Sequence, residues 1–219
     1  DPYNIMKGFF WAHMGWIFYK YESDRSMDSI PDLKKDKLVL WQHRYYLLIA
    51  LITSFALPTL IGFMFGRPWG GFLWGGLLRV VLFHHSAFLI NSAAHFFGSQ
   101  PYSNQNSSRD NWWLALFTFG EGYHNFHHAF QGDYRNGVAL YHWDPGKWWV
   151  RSLSFLGLTF RLNKTPEWAI VKAKMNMEYL NISAVMERLP KNTRERVRLQ
   201  MEAIRKKYET AREGLIQSK

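Results

Sequence analysis

The chain has 219 residues, of which 47% are hydrophobic and 18% aromatic, and its formal net charge is +10. That length is enough for one domain with a sizeable core. Because the chain contains no cysteine, disulfide bonds and thiolate metal sites are excluded. The basic excess suits either nucleic acid or the anionic cytoplasmic face of a membrane. The 11 Trp and 11 Tyr residues favour the membrane, since both side chains concentrate at bilayer interfaces.

The first 44 residues combine an aromatic patch at residues 9–16 with a charged stretch that includes Lys34, Lys35 and Lys37. The first residue is Asp1, not methionine, and nothing near it resembles a signal peptide. We therefore expect the natural N-terminus to lie upstream of this sequence.

Two apolar segments follow, residues 45–65 and residues 71–91, each 21 residues long. About 20 apolar residues are needed to cross the hydrocarbon core of a bilayer. Pro58 is expected to kink the first segment, and Arg79 interrupts the second. The alternative is a pair of buried helices in a soluble protein. Because segments of this length are a strong membrane signal, we predict a transmembrane helical hairpin.

The charges that flank this hairpin predict its orientation. Four basic residues precede it between positions 34 and 44, many follow it, and only Arg67 lies in the turn at residues 66–71. The positive-inside rule then places both ends of the hairpin, and everything after Asn91, in the cytosol. Because the basic excess lies beside these spans and in a mixed-charge C-terminal helix, we predict no nucleic-acid partner.

Three further helices are predicted after the hairpin. Residues 107–120 present aromatic side chains to an apolar surface, and the segment around Trp148 and Leu153 is typical of a helix lying along the membrane. From Lys191 onward, one stripe of an amphipathic helix is formed by Val197, Met201, Ile204, Tyr208, Ala211 and Leu215. This stripe could contact the protein body, another chain or lipid, and we expect it to dock on the protein body.

Three of the 9 histidines, His124, His127 and His128, fall within five residues. On a helix, His124 and His128 share one face at the four-residue spacing, and His127 lies beside His124. Neutral imidazoles that converge in this way form a nitrogen-rich metal site. The alternatives are a surface cluster or a purification artefact. A zinc-peptidase helix is excluded because no Glu follows the first histidine. The pattern therefore predicts a metal centre.

Asn91 and His95 lie four residues apart at the end of the second apolar segment and face the same way on a helix. Either residue alone would be an ordinary solvated helix end, but together with the histidine cluster they are predicted to form one site. His84 would lie about 16 Å deeper than His95, so we predict a hydrogen-bonded structural role for it. Arg79 is expected to pair with a polar group or a carbonyl inside the bundle. Three other histidines are isolated and are predicted to be interfacial or structural: His13, His43 and His142.

Four motifs occur in a fixed order: NSAAH at residues 91–95, PY at 101–102, SRDN at 108–111 and GEGYHNFHH at 120–128. In order and spacing they resemble the stearoyl-CoA desaturase family of membrane fatty acid desaturases. DPYN at residues 1–4 and GFFWAHMGW at residues 8–16 are similar to the stretch that follows the second histidine box of that family. The resemblance runs from Asp1 to about Lys164.

The sequence departs from the family pattern in two respects. The family does not require histidine at His84 and His85. Its first two boxes, HxxxxH and HxxHH, are absent, since this sequence begins shortly after the place of the second box.

The resemblance implies an all-α fold, an integral-membrane, multi-pass helical bundle with a cytosolic helical cap that carries a di-iron histidine site. Residues 1–164 would be the C-terminal part of the desaturase domain, with the transmembrane hairpin at about 45–91 and the cap at 92–164. Residues 165–219 would be a charged amphipathic helical tail. In the family, the histidines at the positions of His95, His124, His127 and His128 bind iron directly, and the asparagine at Asn91 reaches a metal through water. No catalytic residue beyond these ligands is implied.

The implied activity is the O₂-dependent desaturation of a fatty acyl chain, of the delta-9 type, in unsaturated fatty acid biosynthesis. The cofactor would be two iron ions, with O₂ as co-substrate and a fatty acyl-CoA or an acyl-lipid as substrate. A cysteine-free, nitrogen-rich site suits this chemistry because it provides redox-active iron with open positions and no oxidisable thiolate nearby. No HPGG-like haem-binding segment follows the desaturase region, so we expect a separate electron donor, a b-type cytochrome or a ferredoxin with its reductase.

Other residues receive roles by the same resemblance. Trp16 and Phe88 would line a tunnel for the acyl chain, and Lys20 would meet a headgroup phosphate. Each of the three is equally well explained as a core or interfacial residue. Asp133 and Arg135 are expected to orient the ligating imidazoles.

Two alternative functions remain open at this point. A membrane hydroxylase of the same histidine-rich group would insert oxygen instead of desaturating. A degenerate relative or a metal-binding scaffold would not catalyse at all. We also expect the chain alone to be inactive and to hold metal poorly, since a two-iron site needs more ligands than Asn91 and the four histidines supply.

Overall fold

The structure, a computed structural model, describes residues 4–19 and 30–217. Within these ranges the chain is helical and contains no β-strand, apart from isolated bridges that join Asp110 to Ser99 and to Tyr123. The helical part of the predicted fold class is therefore confirmed. The chain divides into two compact units, Asp1–Asn91 and Ser92–Lys219.

Among its described residues, the first unit contains six α-helices, two π-helical segments and several short 3-10 turns. The α-helices are α1 (Phe9–His13), α2 (Lys37–Arg44), α3 (Tyr46–Leu51), α4 (Leu57–Met64), α5 (Pro68–Gly70) and α6 (Arg79–Asn91). The π-helical segments are Ile52–Ala56 and Gly71–Leu78, and the 3-10 turns are Ile5–Lys7, Gly15–Phe18 and Leu33–Lys35.

Helices α3 to α6 form the predicted hairpin. Pro58 lies in the first turn of α4, directly after a π-helical segment and inside the continuous helical stretch Tyr46–Met64, so it offers no N–H to the carbonyls of the preceding turn. The two arms approach closely at Gly71, where a Cβ would collide with the carbonyl oxygen of Pro58. Small residues of this kind let membrane helices pack backbone against backbone.

Two helical stretches, Tyr46–Met64 and Pro68–Phe96, are long and apolar enough to cross a membrane, with mean hydropathies of 2.2 and 1.4. Within the chain only 0% and 6% of their most apolar windows are buried. A helix at the core of a soluble protein would be covered by its own chain. These helices therefore have the exposure expected of segments that face lipid or other membrane helices.

Arg79 lies within the second of these stretches. Its Nε donates to the carbonyl of Gly75 at 2.8 Å, and its Nη2 donates to the carbonyl of Ser54 on the other arm at 3.4 Å. The prediction of a carbonyl partner for this arginine is confirmed.

Up to residue 217, where the description ends, the second unit contains six further α-helices: α7 (Ala93–Phe96), α8 (Trp112–Phe117), α9 (His124–Ala129), α10 (Pro145–Phe155), α11 (Glu167–Met186) and α12 (Lys191–Gln217). Helix α8 is shorter than the predicted 107–120. Its start is fixed by Asn111, whose side chain accepts a hydrogen bond from the backbone N–H of Leu114. Its end is fixed by Phe119 and Gly120, which both have positive φ.

The core of this unit lies on α9. Phe126 is 1% exposed and packs with Tyr102 and Ile170, surrounded by Ala129, Phe130, Val138 and Ala173. Helix α11, which supplies Ile170, begins just after the boundary that we predicted at residue 164, and that boundary stays a prediction.

Helix α12 packs against α11. Its Met201, Ile204 and Tyr208 line a groove of about 390 Å³ with residues of α11, and the Tyr208 hydroxyl donates to the carbonyl of Trp168 at 2.9 Å. For these three members of the predicted stripe, docking on the protein body is confirmed.

Candidate metal centre

Three histidines converge in the second unit. His95 lies on α7, and His124 and His128 lie one turn apart on α9. The Nε2 atom of His124 is 3.1 Å from Nε2 of His95 and 3.1 Å from Nε2 of His128. One nitrogen from each of the three rings falls within 4.8 Å of the others.

This triangle of nitrogens fits a bound cation better than a set of hydrogen bonds. A neutral imidazole nitrogen carries either one hydrogen or one in-plane lone pair. Nε2 of His124 therefore cannot make two good hydrogen bonds to two other ring nitrogens at once. Metal–imidazole nitrogen distances are about 2.1 Å, so adjacent ligands of one ion lie about 3 Å apart. The two separations that His124 makes, 3.1 Å to His95 and 3.1 Å to His128, match that value.

Burial keeps these imidazoles in the neutral form that a metal requires. His124 is 6% exposed, and its burial, followed by the neighbouring His95, His128 and His127, holds its pKa far below the usual range. Burial and then His127 also lower the pKa of His128. Rings that resist protonation keep their lone pairs available for a divalent cation.

His127 lies beside the three converging histidines without joining their triangle. Its ring stacks on that of His124, with centroids 5.9 Å apart, and meets the ring of His128 edge-on at 5.7 Å. Its role as a metal ligand stays a prediction. Asn91 is the last residue of α6, in the first unit, and its role also stays a prediction.

The residues proposed for substrate contact also belong to the first unit. Trp16 lies in the 3-10 turn Gly15–Phe18, and Phe88 lies on α6, where it stacks on His84 and meets His13 edge-on. Lys20 lies outside the described residues. None of the three tunnel or headgroup assignments is tested by these positions.

The side chain of Asp110 holds the first turn of α9 in place. The carboxylate of Asp110 accepts hydrogen bonds from the backbone N–H groups of Asn125 and Phe126, at 2.8 and 3.0 Å. These N–H groups lie in the first turn of α9, where a helix has no internal acceptors for them. Burial raises the pKa of Asp110 to about 6, although these two bonds act in the opposite direction.

Asn125 is fully buried, and its side chain makes four hydrogen bonds of 3.2 Å or less. Its Oδ1 accepts from the backbone N–H groups of Tyr102 and Ser103, and its Nδ2 donates to the carbonyls of Ser103 and Ser108. Asn125 lies between His124 and His127 in residues 120–128, the histidine box of this chain. Its hydrogen bonds therefore tie the box to the loop that precedes α8. Buried amides are retained only when their polar atoms are satisfied in this way.

A backbone turn next to His95 is fastened to the same loop. Gly98 has a φ of 119°, and a Cβ there would collide with the carbonyl of Asp110. Ser99 and Asp110 exchange two backbone hydrogen bonds, at 3.0 and 2.7 Å. Only glycine combines the left-handed conformation with this close approach.

A second loop, residues 136–144, also contacts the histidine box. Asp144 is fully buried and accepts bonds from the backbone N–H groups of Asn136 and Gly137. Nζ of Lys147 donates to three carbonyls, those of Gly137, Ala139 and His142. The ring of His142 stacks on Tyr123 with centroids 4.4 Å apart. His142 is thus structural, as predicted.

Other predictions about polar side chains turned out differently. Asp133 and Arg135 form a two-pronged ion pair, and Asp133 also accepts from the backbone N–H of Thr165. The hydrogen bonds described for this pair do not reach an imidazole, so the expected orienting role is wrong for this conformation. His13 is not isolated, since its Nε2 lies 3.0 Å from Nδ1 of His85.

The supporting residues Asp110, Asn125, Asp144 and Lys147 were missed from the sequence. The available signal was weak. Asn125 lies between box histidines, and Asp110 belongs to the SRDN motif, but their partners lie far along the chain.

The sequence profile of the Fatty acid desaturase family matches residues 2–153. The chain belongs to the fatty acid desaturase family. The resemblance inferred from the histidine motifs is therefore confirmed.

Curated relatives within this family are similar over most of this chain. It is 40% identical to acyl-CoA desaturase 1 of Saccharomyces cerevisiae over 185 residues, which is 84% of this chain and 36% of the yeast protein. It is 35% identical to stearoyl-CoA desaturase 5 of Homo sapiens over 72% of this chain and 50% of the human protein. It is 33% identical to sn-2 palmitoyl-lipid 9-desaturase of Nostoc sp. over 76% of this chain and 58% of that protein. The chain thus spans between a third and three fifths of these relatives.

Proposed function

We propose that this chain supplies part of the active site of an O₂-dependent fatty acyl desaturase with a di-iron centre. The observation that carries the proposal is the triangle of imidazole nitrogens from His95, His124 and His128, within 4.8 Å of one another. The triangle occurs in a chain that belongs to the fatty acid desaturase family.

The metal is proposed to be iron, held directly by His95, His124, His127 and His128, with Asn91 reaching it through water. Iron bound there would supply, from O₂, the oxidising power needed to remove hydrogen from an unactivated methylene. The chain's own contribution is to keep the imidazoles neutral, which the burial of His124 favours most. These 219 residues contain no cysteine, so this part of the site contributes no thiolate that the oxidant could consume.

The substrate is proposed to be a fatty acyl-CoA, desaturated at the delta-9 position. The yeast relative, at 40% identity, is named an acyl-CoA desaturase, whereas the Nostoc relative named for a palmitoyl-lipid is 33% identical. An acyl-lipid is the second candidate, supported by the same family membership and by the 9-desaturase name. Trp16 and Phe88 are proposed to contact the acyl chain, and Lys20 the phosphate of the headgroup.

We further propose that the two apolar helices cross the membrane as a hairpin, in a multi-pass protein whose active site faces the cytosol. The basic residues on the flanks of the hairpin support this orientation. An arrangement of this kind lets a polar headgroup stay in water while the acyl chain enters apolar surroundings.

The reaction also requires an electron donor. Removing two hydrogens from the acyl chain and reducing O₂ to two water molecules consumes two further electrons and two protons. We propose that a b-type cytochrome, or a ferredoxin with its reductase, delivers the electrons.

The test is expression of the complete reading frame that encodes this chain, in a host that lacks delta-9 desaturase activity. Iron per chain is measured on the purified protein, and fatty acids are analysed by gas chromatography with mass spectrometry. Wild type should bind iron and produce palmitoleate or oleate. The variants His124→Ala, His127→Ala and His128→Ala should abolish both products while the protein stays in the membrane. The matched control is His43→Ala, which removes an exposed histidine of α2.

The fatty acid products distinguish a desaturase from a hydroxylase and from a non-catalytic relative. Hydroxylated fatty acids in place of unsaturated ones would assign the chain to a hydroxylase. Iron binding without any oxidised product would indicate a non-catalytic relative. Normal output from the His127→Ala variant would refute the assignment of His127 as a ligand.

A further inference from the structure

The outer nitrogen of one converging histidine is hydrogen-bonded to a side chain. Nδ1 of His95 lies 2.9 Å from Oγ of Ser107, while Nε2 of the same ring lies 3.1 Å from Nε2 of His124. A neutral imidazole carries one N–H. If Nδ1 carries it and donates to the serine oxygen, the lone pair of His95 is at Nε2 and points toward the other two rings.

We propose that Ser107 is a positioning residue that fixes the tautomer and ring orientation of His95 for metal binding. This inference rests on the metal centre proposed above. Ligating histidines commonly donate their second ring nitrogen to an oxygen acceptor, and that bond both orients the ring and strengthens the ligand.

Ser107 is held where it can do this, because the three residues after it bond to both ligand-bearing helices. Beside His95, the backbone N–H of Arg109 donates to the carbonyl of Ala94 at 2.7 Å. At α9, the carbonyl of Ser108 accepts from Asn125, and the carboxylate of Asp110 accepts from the first turn. Residues 107–110 therefore set the distance between His95 and the two histidines of α9.

His124 and His95 differ in how much their ring orientation depends on a hydrogen bond to a side chain. His124 is enclosed on α9, and its Nδ1 is buried without a hydrogen-bond partner in the part of the chain that the structure describes. Packing alone can hold such a ring. His95 is less buried, on a four-residue helix, and Ser107 is exposed at the surface of its loop. Its orientation is therefore expected to depend on the hydrogen bond.

The experiment compares four versions of the complete reading frame: wild type, Ser107→Ala, Ser107→Thr and Ser103→Ala. Ser107→Ala removes the acceptor, and Ser107→Thr keeps a hydroxyl at the same place. Ser103→Ala is the matched control, because its hydroxyl accepts from the backbone N–H of Gln105 in the same loop and its loss leaves the bond to His95 intact. Iron retained per chain is measured against graded concentrations of a chelator, and melting temperatures are measured on the metal-free proteins.

Ser107→Ala should bind iron about 10- to 100-fold more weakly than wild type. Ser107→Thr and Ser103→Ala should bind it as wild type does, and all four metal-free proteins should melt alike. Wild-type iron affinity in Ser107→Ala would overturn the inference and leave the metal centre standing. A lowered melting temperature of metal-free Ser107→Ala that accounts for its iron loss would also overturn it, since the serine would then be merely structural. A wild-type protein that binds no iron would refute the metal centre and the inference together.

Discussion

Asn125 offers a direct test of how the histidine box is held. Replacing it with alanine removes two acceptor and two donor bonds, to Tyr102, Ser103 and Ser108. Each such bond contributes about 1 kcal/mol net, so the loss should be about 4 kcal/mol of unfolding free energy. Because the side chain is 0% exposed, water cannot readily replace these bonds. No metal ligand is removed by this substitution, so the effect on iron binding should come only through the position of α9.

The assay is thermal unfolding of the purified, metal-free protein, followed by iron binding. A loss of about 4 kcal/mol should lower the melting temperature by about 10 °C. Asn125→Asp should cost as much, since its carboxylate would face two carbonyls. Asn104→Ala, at an exposed position of the same loop, should leave the melting temperature unchanged. A loss below about 1 kcal/mol for Asn125→Ala would refute the reasoning, because four buried bonds could not then be holding the box.

Three further predictions concern other parts of the chain. Reporters fused in the turn at residues 66–71 and after Lys219 should lie on opposite sides of the membrane; finding both on one side would refute the hairpin. Arg79→Leu should lower the apparent insertion free energy of the second span by about 3 kcal/mol in a glycosylation-mapping assay, and an unchanged value would mean that Arg79 does not reach the bilayer interior. Burial raises the pKa of Asp110 to about 6. The protonated carboxyl therefore contributes fully to the free energy of unfolding below about pH 4, and this contribution is lost as the pH rises to about 6. Unfolding midpoints of Asp110→Asn, which keeps an acceptor oxygen, should therefore fall less across that range than those of wild type, and parallel curves would contradict the assigned pKa.

Features that depend on neighbouring residues could be predicted from the amino-acid sequence alone. The two apolar stretches could be recognised because length and composition decide whether a helix can cross a bilayer. The pairing of His124 with His128 follows from the geometry of one helical turn, and the docking stripe of α12 follows from the same periodicity. The order of the histidine motifs was enough to identify the family.

The helix predicted at residues 107–120 marks the limit of that kind of reasoning. Its aromatic residues were read correctly as helical, but residues 107–110 are used for hydrogen bonds to α7 and α9 instead of continuing α8. Local propensity gave no sign of this competition, because the partners become available only after the chain has folded back.

The side chains that support the histidines could be identified only from the folded chain. The bond between His95 and Ser107 spans 12 positions, that between Asp110 and Asn125 spans 15, and the contact between His13 and His85 spans 72. No helical or strand period relates residues at such separations, so the sequence could suggest each polar side chain but not its partner. It could place imidazoles on one face of a helix because covalent spacing fixes that face. It could not predict which loop would fix the ring of His95, because that depends on where distant segments meet.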